Sequence, residues 1–390
     1  MDSEPDSPPD TLVGPDDTGE TGTTAEDELL YEQFFDVSVI QVVDIRLSAE
    51  AINLLHQDGR TYVKGAATIN GVAFDEVGVR LKGSSTYQDL DCADGLCKAA
   101  FKLRLNKYVQ GQLYGGLERI TLNNMVTDYT QSKEVIAYEV LRQQSQLASR
   151  SNFARVTVNG ELMGLYTNLE SADDRWLKRR FEDASGDFWG TAFSYGDFYT
   201  PYLDTGWVPK SGSGDLGKLE AITAALDGFS GDFFGELGGL VNTEQWLSYW
   251  GWCAALGNYD GYPFNLNDVL IYFDPSDGER VVFAPWGTDE SWAEYELTGQ
   301  SWEVVGGRLG LACLYDPACV DALRDHIRAA TEGYDATEVL TLAEAAWALT
   351  EADVQVDPRR PYTPADVWAY RDYYAALIPR YGSYVRDRLD

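Results

Sequence analysis

Between residues 37 and 171 apolar and polar side chains mostly alternate, which is the period of a half-buried strand. The alternation predicts strands at 39–45, 61–69, 77–81, 100–105 and 119–122. A change to helical spacing follows. Ile136, Val140 and Leu147 recur with Ala137 and Leu141 beside them, predicting a helix over 128–147 that Asp128 or Thr130 can cap. Two more strands, 155–158 and 162–168, flank the turn Asn159-Gly160. From residue 172 helical patterns dominate, at 173–182, 215–227, 231–238, 243–257, 317–331, 336–350 and 364–388. Within that half, 266–285 reads as a hairpin: Val269, Ile271 and Phe273 alternate, Pro275-Ser276-Asp277-Gly278 turns the chain, and Val281 and Phe283 alternate again. Strands with one inserted helix, followed by a mainly helical half, predict an α+β fold of two lobes, 37–171 and 172–390.

Composition narrows the partners. The formal charge of −33 over 390 residues argues against nucleic acid or an anionic membrane, since both demand a positive surface. It suits divalent cations or a basic protein. Residues 1–36 contain no Lys or Arg and are rich in Asp, Glu, Pro, Thr, Ser and Gly, so they read as an acidic disordered tail. A Met directly before such a tail suggests an export signal or a lipid anchor lying upstream, and no apolar run is long enough for a transmembrane helix. Cys92 with Cys97 and Cys313 with Cys319 form two local pairs, leaving Cys253 alone in an apolar helix. Two short-range pairs favour disulfides and an extracytoplasmic compartment.

Only two His residues occur, His56 and His326, and neither stands in a motif-like segment. Carboxylate, Lys and Arg chemistry remains. The most informative stretch is Asn258-Tyr259-Asp260-Gly261-Tyr262-Pro263-Phe264-Asn265, followed by the hairpin and then Trp286-Gly287-Thr288-Asp289. An Asp, an Asn five residues on and a second Asp beyond a hairpin form the polar skeleton of a phosphoryl-transfer site. Asp260 would orient the acceptor hydroxyl, while Asn265 and Asp289 would hold the metal that neutralises phosphate charge.

Several segments taken together resemble the CotH kinase family of spore coat protein H-like atypical kinases. They are Val79-Arg80-Leu81-Lys82-Gly83-Ser84-Ser85, Lys98-Ala99-Ala100-Phe101-Lys102-Leu103-Arg104-Leu105, and Leu122-Asn123-Asn124 with Asp128. Val158-Asn159-Gly160-Glu161-Leu162-Met163-Gly164-Leu165-Tyr166, ending at Glu170, and then the Asp260 and Trp286 segments complete the order. The resemblance implies an atypical protein-kinase-like fold. It also implies ATP-dependent phosphorylation of Ser or Thr on protein partners with Mg or Mn, at a cell surface, in the periplasm or in a spore coat. Carried onto this chain, Arg80, Lys82, Ser84 and Ser85 would cover phosphates. Lys102 would bind the α- and β-phosphates, with Lys98 as runner-up. Glu134 or Glu139 would hold that Lys, and Glu170 would meet ribose or adenine.

Two positions depart from the family pattern. Tyr262 stands where a His is usual, and the Pro-Trp-Asp-x-Asp segment reads Pro285-Trp286-Gly287-Thr288-Asp289. Gly287 leaves Asp289 to serve as the metal ligand, with Asn267 and Asp268 as neighbouring oxygen donors. It also keeps open the alternative of a catalytically inactive surface or spore-coat scaffold.

Overall fold

The computed structural model describes residues 24–92, 97–192, 196–293 and 302–389. Helix α1 (Ala25–Phe34) leads into β1 (Ile40–Arg46), helix α2 (Ala49–Gln57), β2 (Val63–Ile69), β3 (Val72–Lys82), β4 (Ala100–Arg104) and β5 (Arg119–Asn123). Helix α3 (Lys133–Gln143) separates β5 from β6 (Ser151–Val158) and β7 (Glu161–Leu169). The seven strands close a barrel in the order β1-β2-β3-β4-β5-β7-β6, sealed by the parallel pairing of β1 with β6. Alternation decides which side chains fill it. Val79, Leu81, Phe101, Leu103, Ile120, Leu122, Ala154, Val156 and Tyr166 point inward and are fully or nearly fully buried.

The second half adds a four-stranded sheet in the order β11-β10-β8-β9, built from β8 (Phe188–Thr191), β9 (Trp207–Ser211), β10 (Val269–Asp274) and β11 (Arg280–Pro285). Helix Thr243–Leu256 packs on β11, Pro317–Ala336 and Pro364–Arg386 pack on that helix, and Val339–Val356 packs on Pro364–Arg386, β7 and α3. The core of this half is separate from the barrel's and rich in aromatic rings: Trp246, Trp250, Tyr262, Phe283 and Trp292 are buried there. The inner face of α3 joins this second core through Val135, Ile136 and Val140, so the inserted helix ties the two halves together.

The α+β architecture matches the expectation, and 266–285 is indeed an antiparallel hairpin, β10 to β11. Several elements escape the periodicity argument, among them α1, α2, the helix Arg308–Tyr315, the short helices Leu203–Gly206 and Tyr262–Asn265, and the short strands β8 and β9. Both local cysteine pairs are disulfide-bonded and Cys253 is buried and free. Among the described residues no helix is long and apolar enough to cross a membrane.

The acidic stretch needs a correction. Residues 1–23 lie outside the described residues, but 24–36 belong to the folded body. Thr24 and Asp27 form a capping box, and Glu26, Asp27 and Glu28 sit in the first turn, where the helix dipole favours anions. The acids that suggest disorder in composition are thus the start signal of α1. Tyr31, Phe34 and Phe35 are buried in the barrel core, with the Phe34 ring edge-on to Tyr114 at 5.0 Å. The Phe34 carbonyl accepts from the side-chain amides of Asn152 and Asn168. Replacing Phe34 with Ala is therefore expected to destabilise the protein by roughly 3–5 kcal/mol, as truncation of a buried aromatic does. Chemical denaturation of Phe34→Ala against wild type checks this. An unchanged midpoint would return residues 24–36 to the status of a dispensable tail.

Candidate functional site

Strand register places the first group. Lys82 ends β3 opposite Ala100, and Asn123 ends β5 opposite Thr167 of β7. These side chains leave the outer face of the barrel, because Leu81, Phe101 and Leu122 take the inner one. Ala100 is too small to block the row, and Lys82 Nζ donates to Asn123 Oδ1 at 2.5 Å. The Asn123 amide then donates to both carboxylate oxygens of Glu134, at 2.8 and 3.0 Å. Lys82 and the inserted helix are thus joined through one amide.

Asp128 fixes the start of α3. Its buried carboxylate accepts from the backbone N–H groups of Thr130, Gln131, Ser132 and Lys133 at 2.6–3.0 Å, neutralising donors that a helix start leaves unpaired. This puts Glu134 in the first turn, facing the barrel. Glu139 lies five residues on and about 140° around the helix, where it pairs with Arg142 at 2.8 Å and accepts from Gln143.

The hairpin supplies the other wall. Gly257, at φ +57°, ends helix Thr243–Leu256 and releases the chain into the segment that carries Asp260. Asn265 and Asn267 both donate amides to Asp260, the latter at 3.2 Å. Val269 pairs with Pro285, and the Trp286 N–H donates to the Asp268 carbonyl at 3.0 Å, so the two ends of the hairpin meet. Gly287 N–H donates to Tyr138 Oη at 3.0 Å, Thr288 Oγ1 to the Glu134 carbonyl at 3.2 Å, and Thr127 Oγ1 to Asp289 Oδ2 at 2.6 Å. Helix α3 therefore anchors the strand exit that presents Asp289.

Between these walls lies a cleft of about 150 Å³. Lys82 and the turn Gly83-Ser84-Ser85-Thr86 form its roof. Gly83 is at φ +113°, and a Cβ there would meet the Tyr87 backbone N at 2.8 Å, so only glycine fits this turn. Arg60 steadies the turn by donating to the Gly83 carbonyl at 3.0 Å. Asp128, Glu134, Asp260, Asp268, Asp289 and Glu290 line the remainder, with Lys82 the one cationic side chain among the described lining residues. Burial and the nearby Asp289 charge push the Glu134 carboxyl up to about 7, against the opposing pull of Asn123 and Lys82. Burial, reinforced by Asp260, Asp289 and Glu134, holds Asp268 well above the usual carboxylate range.

Other residues anticipated from the sequence lie elsewhere. Lys102 pairs with Arg80 and Thr121 one pair of residues along the strands, about 7 Å further from the cleft row, and does not line it. Arg80 is buried, donates to the Leu81 carbonyl and lies over the Tyr62 ring at 5.4 Å. Lys98 is fully buried against Asp357 at 2.7 Å, a structural ion pair between the two halves. Glu170, 1% exposed, accepts from Arg180 at 2.5 Å, Tyr31 Oη at 2.6 Å and the Arg150 N–H at 3.0 Å. Burial alone would raise its carboxyl, but the Arg180 charge and these bonds outweigh that and hold it low. It staples α1 to the start of the second half and is withdrawn from any ligand. Asn265 touches Asp260 from behind, whereas Asn267 lines the cleft. Tyr262 donates to Asp197 at 2.8 Å inside the aromatic core and has no place in the cleft. Sequence reasoning placed Asn123 in a segment that carries the resemblance but gave it no role; a polar residue ending a strand otherwise turned into the core was the available signal.

Comparison with known proteins adds two findings. A family model described as "CotH kinase protein" matches residues 79–378. The chain is 22% identical over 204 residues to the inner spore coat protein H of Bacillus subtilis (strain 168), covering 47% of this chain and 53% of that protein. It thus spans about half the length of that curated relative.

The raised Glu134 carboxyl has a consequence for stability. Its folded value of about 7 exceeds the ordinary 4.5, so the folded state holds the proton more tightly than the unfolded state does. The associated stability is fully present below about pH 4.5 and is lost as pH rises through about 7. Asp268 acts in the same direction. Glu134→Gln is expected to flatten the fall in melting temperature between pH 5 and 8, in buffers without divalent ions. A profile as steep as that of wild type would contradict the assigned burial of charge.

Proposed function

The chain belongs to the CotH kinase family, and from that premise we propose that it is an extracytoplasmic protein kinase transferring the γ-phosphate of ATP to Ser or Thr of a protein partner. The observation that carries this reading is the convergence of Lys82, Glu134, Asp260 and Asp289 on one cleft beneath a glycine-containing turn. Lys82 would hold the phosphates, oriented by Asn123 and Glu134, with the small hydroxyl side chains of Ser84 and Ser85 above them. Asp260, fixed by two amides, would align the acceptor hydroxyl and receive its proton. The acceptor oxygen bonds to the γ-phosphorus as the bond to the β,γ-bridging oxygen breaks, and ADP leaves.

The donor set fits a divalent cation. Asp289 would hold Mg or Mn, with an amide oxygen from Asn267, which lines the cleft where Asn265 does not. Among the described residues no group of three or more His, Cys, Asp or Glu is placed to hold a metal ion, so phosphate oxygens and water would have to complete its shell. Bound there, the ion would offset the charge of the triphosphate. With Lys82 alone set against six acids in the lining, ATP without a cation would be repelled. Both disulfides and the match to a spore coat protein support an extracytoplasmic or spore-coat setting. The net charge of −33 favours a basic partner.

One observation favours a second reading, an inactive scaffold that keeps the fold: position 287 carries no side chain. Nucleotide binding separates the two. A nonhydrolysable ATP analogue with Mn at a hundred times its dissociation constant should stabilise the wild type by about 2.7 kcal/mol, and chelating the metal should abolish the effect. Lys82→Ala should weaken that binding at least tenfold. Asp260→Ala should keep binding but lose phosphate transfer to a basic Ser/Thr-containing protein or to the chain itself. Absence of any metal-dependent nucleotide shift in the wild type would favour the scaffold.

A further inference from the structure

We propose that Asp268 occupies the place of the side chain missing at position 287 and serves as a further metal-holding carboxylate of the cleft. The assignment rests on the kinase reading above, and its basis is steric. Gly287 has φ +68°, and a Cβ built there would lie 2.4 Å from Asp268 Oδ2 and 2.6 Å from its Cγ. The Asp268 carboxyl thus fills the volume from which any residue-287 side chain would begin. With the carboxyl where it stands, a side chain at 287 would collide with it, and the chain places its carboxylate on the β10 side of the hairpin.

Both backbones are fixed. The Trp286 N–H bonds to the Asp268 carbonyl at 3.0 Å, and the Gly287 N–H to Tyr138 Oη at 3.0 Å. Asp268 therefore faces the cleft from a fixed ribbon, with the charges of Asp260, Asp289 and Glu134 as its neighbours. Among the described residues no Lys, Arg or His forms an ion pair with Asp268. Carboxylates that serve the fold here are satisfied by bases or by backbone donors, as Glu170 is by Arg180, Asp357 by Lys98 and Asp128 by the N–H groups that open α3, whereas Asp268 hydrogen-bonds another acid, Asp260. Grouping unpaired acids costs stability and gains something only when a cation joins them.

Three variants test this: Asp268→Asn, Gly287→Asp, and the swap carrying Asp268→Gly with Gly287→Asp. Asp tolerates the left-handed backbone at 287, and the swap removes the collision. The readouts are the melting temperature of the metal-free protein and Mn affinity measured by titration without nucleotide. Asp268→Asn should melt higher than wild type when metal-free and bind Mn at least tenfold more weakly. Gly287→Asp alone should melt lower. The swap should recover most of the Mn affinity. Equal Mn affinity in wild type and Asp268→Asn, or no recovery in the swap, overturns the proposal, as does a metal-free Asp268→Asn that melts lower. Wild type that binds Mn but neither binds nor turns over ATP would remove the kinase reading while leaving Asp268 as a metal ligand. ATP turnover with unchanged Mn affinity in Asp268→Asn would do the reverse.

Discussion

A carboxylate buried at the first turn of α3 obliges the chain to bring everything else to it. Glu134 is 3% exposed and cannot stay ionised there without compensation. Compensation comes from Lys82 through the Asn123 amide, which fixes the barrel against the helix. The backbone of the same turn holds Thr288, and Tyr138 one turn further holds Gly287, so the exit of the hairpin is tied to α3 as well. Barrel edge, inserted helix and hairpin therefore meet around one polar contact, and the cleft is the space they leave between them.

That space concentrates negative charge. Elsewhere several buried acids pair with bases: Glu170 with Arg180, Asp353 with Arg155, Asp357 with Lys98. In the cleft a single cation among the described lining residues, Lys82, faces six acids. The contrast within one molecule argues that the unpaired acids serve a ligand carrying cations, because a fold selected for stability alone has both the means and the precedent to neutralise them.

Much of this was legible in the sequence. Asp260 and Asp289 could be brought together from the hairpin pattern alone, since β-ribbons return the chain to its starting point. The face on which Lys82 and Lys102 lie was readable too, because side chains alternate. Which of the two reaches the cleft was not, because that depends on strand register, set here by the Lys82–Ala100 and Asn123–Thr167 pairs. Glu134 and Glu139 differ only in which side of α3 meets the barrel, a tertiary fact. The acidic start of the chain misled for a different reason: composition describes a segment's average, whereas three aromatic side chains and a capping box decided the fate of residues 24–36. Glu170 looked available for a ligand because its partners, Tyr31 and Arg180, lie 139 and 10 residues away.

The central claim is that the cleft holds a nucleotide through Lys82 and a divalent ion through the hairpin carboxylates. A crystal structure of the protein with Mn and a nonhydrolysable ATP analogue, phased to locate Mn by its anomalous signal, tests it most directly. The account predicts phosphates beneath the turn 82–86 and a Mn peak between them and the carboxylates of Asp268 and Asp289. A nucleotide bound away from Lys82, or an anomalous peak that touches neither carboxylate, would contradict it.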